Sequence, residues 1–137
     1  MKSIVRYLVK VARELTALED EFFEKKRIKL KPEGATMYGL VNARMIADAG
    51  YRVVDASYSY DKDRGDYSLI VAFQRENEPI VYHTFRSFSW GYGGEGPHGL
   101  LEFGRIFGLG LDWNKISGGI DIGLPNKATV DLLKWFT

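Results

Sequence analysis

The chain has 137 residues, of which 45% are hydrophobic, and this composition predicts one domain, residues 1–137, with an apolar core. Its 19 basic and 18 acidic side chains nearly cancel, so net charge alone gives no argument for binding nucleic acid. Cysteine is absent, which excludes disulfides, thiolate nucleophiles and zinc sites with cysteine ligands. No stretch reaches the ~20 apolar residues of a membrane-spanning helix, so we expect a cytoplasmic protein without a membrane partner.

The first predicted element is a helix over residues 4–22. Apolar side chains recur there every third or fourth residue, which is the spacing of one helical face. Val5, Val9 and Ala12 make that face wider than a coiled-coil seam. The width favours a helix that packs on a sheet or on other helices.

A basic segment follows this helix, and five of its seven residues are cationic: Lys25, Lys26, Arg27, Lys29 and Lys31. Cations near a helix C-terminus complement the helix dipole, and charge runs are commonly solvated faces, so we favour this structural interpretation. The alternative is a patch that binds a protein partner or nucleic acid. These five side chains are therefore candidate partner-binding residues.

A second helix is predicted from about Thr36 to Ala49, and its inward-facing residues are Met37, Leu40, Val41, Met45 and Ile46. Three strands are predicted next: Tyr51 to Tyr60, Tyr67 to Arg75, and Ile80 to Trp90. The short polar connections between them favour an antiparallel meander. Alternation in the first strand indicates a half-buried strand at an edge, whereas the second is apolar on both faces and is predicted to be central.

Tyrosines are frequent in this region, and Tyr58 and Tyr60 lie on one face of the first strand. On an exposed face they could anchor a protein partner or stack on bases. In a core they would pack helices onto the sheet, which is the more frequent role of such residues. We retain both as candidate partner-binding residues.

A glycine-rich segment follows the third strand, and its key residues are Trp90, Gly91, Tyr92, Gly93, Gly94, Gly96 and Pro97. The spacing Gly91-x-Gly93-x-x-Gly96 formally matches a dinucleotide-binding fingerprint. That fingerprint belongs to a parallel βαβ unit with phosphate at the helix N-terminus, whereas this strand ends a meander and Glu95 would repel phosphate. We predict a structural turn, with Pro97 at the first helical position and with Trp90 and Tyr92 clamping the loop onto the core.

The C-terminal part is predicted to contain a helix from Pro97 to Phe107, an irregular span from Leu111 to Leu124, and a last helix starting at Pro125-Asn126. The predicted fold is therefore α+β. It combines an antiparallel sheet of three strands, or slightly more, with an N-terminal helical pair and two short C-terminal helices.

Side chains that could carry catalysis or bind a metal are sparse. The turn from Asp61 to Asp66 lacks the glycine and glutamate spacing of a calcium-binding EF-hand loop. His83 and His98 are the only histidines, and only His98, beside Glu95, suggests an acid–base pair. The sequence predicts no metal, no cofactor and no complete catalytic set, so an enzyme of unknown reaction is the least favoured alternative.

The segment Phe88-Ser89-Trp90-Gly91-Tyr92-Gly93-Gly94-Glu95-Gly96-Pro97 resembles a motif of small bacterial and phage proteins of unassigned function. In those proteins the motif precedes a leucine-rich helix and a C-terminal Leu-Pro…Trp segment, whose counterparts are Leu100-Leu101, Leu124-Pro125 and Trp135. The resemblance covers about residues 80–137. It implies an accessory protein of a phage or mobile element that acts in the host cytoplasm.

More loosely, the chain is similar in size and type to phage-encoded inhibitors that bind bacterial RNA polymerase. We therefore expect a non-enzymatic protein that binds a host protein complex, with RNA polymerase as the most concrete candidate, and modulates transcription. The alternative is a nucleic-acid-binding protein that uses residues 25–31.

Overall fold

The computed structural model describes residues 23, 26, 28–118 and 122–137. The helix predicted at residues 4–22 lies outside them. The helices are α1 (Thr36–Asp48), α2 (Glu95–Phe107), α3 (Trp113–Ile116) and α4 (Leu132–Phe136). The strands are β1 (Arg52–Asp61), β2 (Asp66–Gln74), β3 (Val81–Phe85) and β4 (Lys127–Asp131).

The four strands form one antiparallel sheet in the order β3-β2-β1-β4. This confirms the α+β class, the meander of the first three strands and the central position of β2. The prediction that β1 lies at an edge is wrong, because β4 pairs with its other side, with Tyr58 opposite Val130 and Tyr60 opposite Ala128. The register of β1 against β2 shifts between Val53 and Asp55, where β1 is irregular.

Several elements differ from the sequence prediction. β3 ends at Phe85 rather than Trp90, and the next two backbone N–H groups, of Arg86 and Ser87, donate to the carboxylate of Glu33 instead of to a strand. Trp113–Ile116 forms a short helix inside the span predicted to be irregular. The last helix begins at Leu132, and the residues before it form β4.

The core lies between one face of the sheet and α2 together with α4. Tyr58, Leu69, Phe73 and Phe85 contribute from the strands and are fully buried. The ring of Phe103 in α2 lies 5.1 Å from that of Phe85 and 5.6 Å from that of Phe88, measured between centroids. Aromatic packing of this kind stabilises a fold through buried area and ring geometry together, and here it fixes α2 on the sheet.

Helices α1 and α2 pack against each other through small residues. A Cβ atom added to Gly99 of α2 would overlap the methyl group of Thr36 in α1 and would lie 3.1 Å from a ring carbon of Phe88. In α1, a Cβ atom at Gly39 would lie 2.7 Å from Oε1 of Glu33. Gly99 therefore allows a close approach of the two helices, and this approach shapes the groove between them. Gly39 instead allows Glu33 and Ser87 to approach α1.

Candidate functional site

The glycine-rich segment forms the connection between β3 and α2. Gly94 is the N-cap of α2, in an extended conformation, and the helix starts at Glu95. Pro97 is therefore the third helical residue, and the prediction that it occupies the first is wrong. Of the glycines in this loop only Gly91 has a positive φ, of 94°, so the left-handed conformation is required at one position.

Close packing explains two further glycines of this segment. A Cβ atom at Gly94 would lie 2.6 Å from the ring of Tyr92, and one at Gly96 would overlap Oγ of Ser89. The N–H of Gly91 donates to the carbonyl of Ile116 over 2.7 Å, which ties the loop to the end of α3. The segment is thus packed into the fold as a structural corner.

Trp90 clamps this loop onto the core. Its buried ring lies 5.2 Å from the ring of Tyr60 and 5.5 Å from that of Phe136, and the ammonium nitrogen of Lys62 lies 4.4 Å from its centre. Tyr92 contributes less to the clamp, because 49% of its surface is exposed and its hydroxyl bonds locally to Ser89 over 2.7 Å.

Tyr58 and Tyr60 lie in the core. The phenol of Tyr58 donates to the carbonyl of Phe88 over 2.6 Å, and the phenol of Tyr60 donates to the carbonyl of Pro125 over 2.9 Å. Burial raises the pKa of Tyr58 well above its usual value and raises the pKa of Tyr60 to about 12. Both side chains connect strand β1 to loops, and neither is exposed at the surface of the protein.

The structure describes three of the five cations in the predicted basic segment. Lys26 lies 3.3 Å from Glu78, which also binds Arg75 over 2.7 Å, whereas Lys29 and Lys31 are exposed. The backbone of Lys31 is held by the side-chain amide of Asn42, through bonds of 2.7 and 2.9 Å. Lys25 and Arg27 lie outside the described residues.

An open groove runs between α1 and α2, with a volume of about 380 Å³. We call it the α1–α2 groove; it is lined by Thr36, Met37, Leu40, Glu95, His98, Gly99, Leu101, Glu102 and Arg105. Met37 is 58% exposed, so the prediction that it faces inward is wrong. Its neighbour Tyr38 is also exposed, at 40%.

A second hollow, of about 490 Å³, lies on the other side of α2. It shares Leu101 and Arg105 with the α1–α2 groove and adds Leu111 and Trp113. The ring of His98 stacks on Trp113, with 4.2 Å between centroids and 21° between planes. The stack fixes the position of an exposed imidazole at the end of the groove. Because Leu101 lines both hollows and Leu111 and Trp113 line the second, the apolar surface continues from one hollow to the other.

Charged side chains border the α1–α2 groove. Glu102 binds Arg44 of α1 over 3.0 Å and Arg105 over 3.6 Å.

Glu95 and His98, the predicted acid–base pair, do line the same groove, one helical turn apart. No hydrogen bond joins these two side chains, and residues 28–118 and 122–137 contain no cluster of three potential metal ligands. The arrangement is suited to hold an apolar side chain between charged neighbours.

A further hollow, of about 650 Å³, lies at the β1–β2 turn beside β4. The strand register aligns the hydroxyl residues Ser68, Ser59 and Thr129 in one row across it. Asp61 lies 3.9 Å from both Arg64 and Lys127. With Asp66, the lining contains two acidic and two basic side chains, so its formal charges cancel and the hollow is polar.

Sequence reasoning did not identify the α1–α2 groove. One signal was present: the five apolar residues assigned inward in α1 span more than one face of a helix, so some must be exposed.

Comparison with protein-family models, with curated proteins and with solved structures found no match. In the part of the chain that the structure describes, no helix is both long and apolar enough to cross a membrane.

Proposed function

We propose that this protein is a binding module that docks on a host protein complex through the α1–α2 groove. The observation that carries the proposal is the exposure of Met37 over an apolar floor formed with Leu40 and Leu101. Apolar side chains gathered at the surface and bordered by charges are typical of protein interfaces. Methionine is well suited to such a surface because its flexible side chain adapts to different partners.

RNA polymerase is the concrete candidate for this complex, and binding would modulate transcription. The support for it is the motif around Trp90 and the general similarity to small phage proteins. The groove adds a requirement of its own: the partner must offer an apolar side chain that fits beside Met37, with polar or charged groups that reach Glu95 and Arg105.

A capture experiment with matched variants tests the proposal. Tagged protein is incubated with bacterial lysate treated with nuclease, and with purified RNA polymerase core enzyme, at moderate salt. Met37→Glu places a charge in the groove, and Ile80→Glu makes the same change at another exposed apolar residue, 47% exposed, outside it. We expect wild type and Ile80→Glu to retain the polymerase, and Met37→Glu to bind it at least about tenfold more weakly, the loss typical of an interface hot spot.

Other outcomes reject parts of the proposal. A stoichiometric partner other than the polymerase, lost in Met37→Glu alone, would keep the groove and reject the candidate. Equal binding by both variants would reject the groove. Binding that nuclease abolishes and that falls steeply with salt would favour the nucleic-acid alternative through the basic segment, because counterion release drives such binding.

A further inference from the structure

Strand β4 forms one edge of the sheet, and in the described part of the chain no strand pairs with its outer side. The inner side faces β1, with Tyr60 opposite Ala128 and Tyr58 opposite Val130. Just beyond the strand end, the N–H of Lys62 donates to the carbonyl of Asn126 over 2.8 Å. Since hydrogen-bonded pairs alternate in an antiparallel ladder, Ala128 and Val130 bond to β1 as Asn126 does.

The intervening residues therefore direct their backbone groups outward. Lys127 and Thr129 present both backbone groups to the open side of the sheet, and Asp131 presents its N–H. The carbonyl of Asp131, the N-cap of α4, accepts the first hydrogen bond of that helix. An edge of this kind is a template for another strand. The spacing of the outward groups also restricts which register such a strand can adopt.

The order of charges in β4 allows the strand to pair with a second, antiparallel copy of itself. Lys127 and Asp131 stand at equal distances from the central Thr129, with Ala128 and Val130 between them. In an antiparallel pair of two β4 strands centred on Thr129, each Lys127 lies opposite Asp131 of the other copy. This register brings the outward backbone groups of both strands together, and its symmetry closes the pair as a dimer.

The charges are accessible for this pairing. Lys127 is exposed, and its ammonium nitrogen lies 3.9 Å from the carboxylate of Asp61, which also forms an ion pair with Arg64. Oδ1 of Asp131 accepts the N–H groups of Leu133 and Lys134 at the start of α4. A carboxylate has a second oxygen, Oδ2, and this oxygen can accept the ammonium group of a second copy.

We propose that β4 is a self-association edge, through which two copies of this chain pair antiparallel about Thr129 into one continuous sheet. The partner is a second copy because both the charge order and the backbone register fit the strand to itself. The edge is only five residues long. The dimer is therefore weak and forms as the protein concentration rises.

Sedimentation analysis over a concentration series up to about 1 mM tests this inference, since weak complexes form only in that range. We expect a reversible monomer–dimer equilibrium for the wild type. Lys127→Glu and Asp131→Lys each create like-charged pairs, and each should raise the dissociation constant by about tenfold. An equimolar mixture of the two variants restores opposite charges at both positions and should form a heterodimer.

Thr129→Pro provides a second route if Asp131→Lys, which removes the cap of α4, does not fold. The N–H of Thr129 points away from β1, so proline leaves the backbone ladder to β1 intact and removes the outward donor. It also removes the hydroxyl that donates to Oγ of Ser59 over 3.1 Å, and Thr129→Val removes that hydroxyl as well. Thr129→Val, which keeps this N–H, is the matched control. We expect Thr129→Pro to be monomeric and folded by circular dichroism, and Thr129→Val to dimerise as the wild type does.

A wild-type protein that stays monomeric at the highest concentration would overturn the inference. Dimerisation that survives both Lys127→Glu and Thr129→Pro would overturn it as well, because it would locate the interface elsewhere. Met37 lies in α1 and not in β4, so failure of the dimer leaves the α1–α2 groove and its own test unaffected.

Discussion

His83 shows how burial determines the chemistry of a single residue. Its ring lies on the core side of β3, 4.8 Å from the ring of Phe85 and 6.1 Å from that of Phe23. Burial lowers its pKa from 6.5 to about 4, because the charged imidazolium loses its hydration there. This residue is therefore neutral in the folded protein at physiological pH.

This shift predicts acid sensitivity of the fold. Between pH 6.5 and about 4 the unfolded chain takes up a proton at His83 and the native state does not, so the free energy of unfolding falls as the pH decreases through this window. The contribution of His83 to that loss reaches about 3 kcal/mol by pH 4. His83→Leu should therefore lose less stability than the wild type between pH 7 and pH 4.

Urea unfolding at several pH values measures this difference. His98→Leu, which removes the exposed histidine of α2, is the control for the loss of a histidine in general. If wild type and His83→Leu lost stability in parallel as the pH fell, burial of His83 would not be the cause.

At the scale of elements, the approach of α1 to α2 depends on Gly99. Alanine is favoured over glycine in a helix by about 1 kcal/mol. At this position, however, the added methyl group would overlap the methyl group of Thr36, whose β-branched side chain is buried and has little rotational freedom. Overpacking of this kind typically costs about 1–3 kcal/mol, so the overlap outweighs the gain in helix propensity.

We expect Gly99→Ala to lower the free energy of unfolding by about 1–2 kcal/mol, measured by chemical denaturation. Gly93→Ala is the matched control in the preceding loop, since a Cβ atom there meets nothing within 4 Å and the φ of Gly93 is not positive. It should change stability by no more than about 0.5 kcal/mol. An increase in stability in Gly99→Ala would show that the helices separate to accommodate the methyl group.

Local sequence patterns predicted some elements and missed others for a physical reason. The alternation in β1 and β2 and the helical spacing of α2 are properties of neighbouring residues, and these elements were predicted. β4 was assigned to a helix because its pairing with β1 joins residues about 70 positions apart, as Ser59 and Thr129 are. The α1–α2 groove was missed for the same reason, because it forms only where two helices distant in the chain come together.

At the scale of the whole molecule, three tyrosines of the sheet form one cluster. The rings of Tyr58 and Tyr60 lie 5.7 Å apart, and that of Tyr67 lies 6.3 Å from Tyr58. Burial raises the pKa of all three phenols, and in each of them the charge of a neighbouring phenolate raises it further. The native fold thus retains phenolic protons at a pH where an unfolded chain has lost them.

Alkaline pH should therefore destabilise the fold. The stability that these groups contribute is fully present below pH 10, their usual pKa, and is lost as the pH rises toward the folded value, about 12 for Tyr60.

At pH 7, Tyr60→Phe should cost about 1 kcal/mol, because it removes the hydrogen bond to the carbonyl of Pro125. As the pH rises above 10, this difference should shrink and then reverse, because the wild type alone gains unfolded-state ionisation at this position. Urea unfolding of both proteins across this range, followed by circular dichroism, measures the difference, and a gap that stayed constant with pH would contradict the raised pKa of Tyr60.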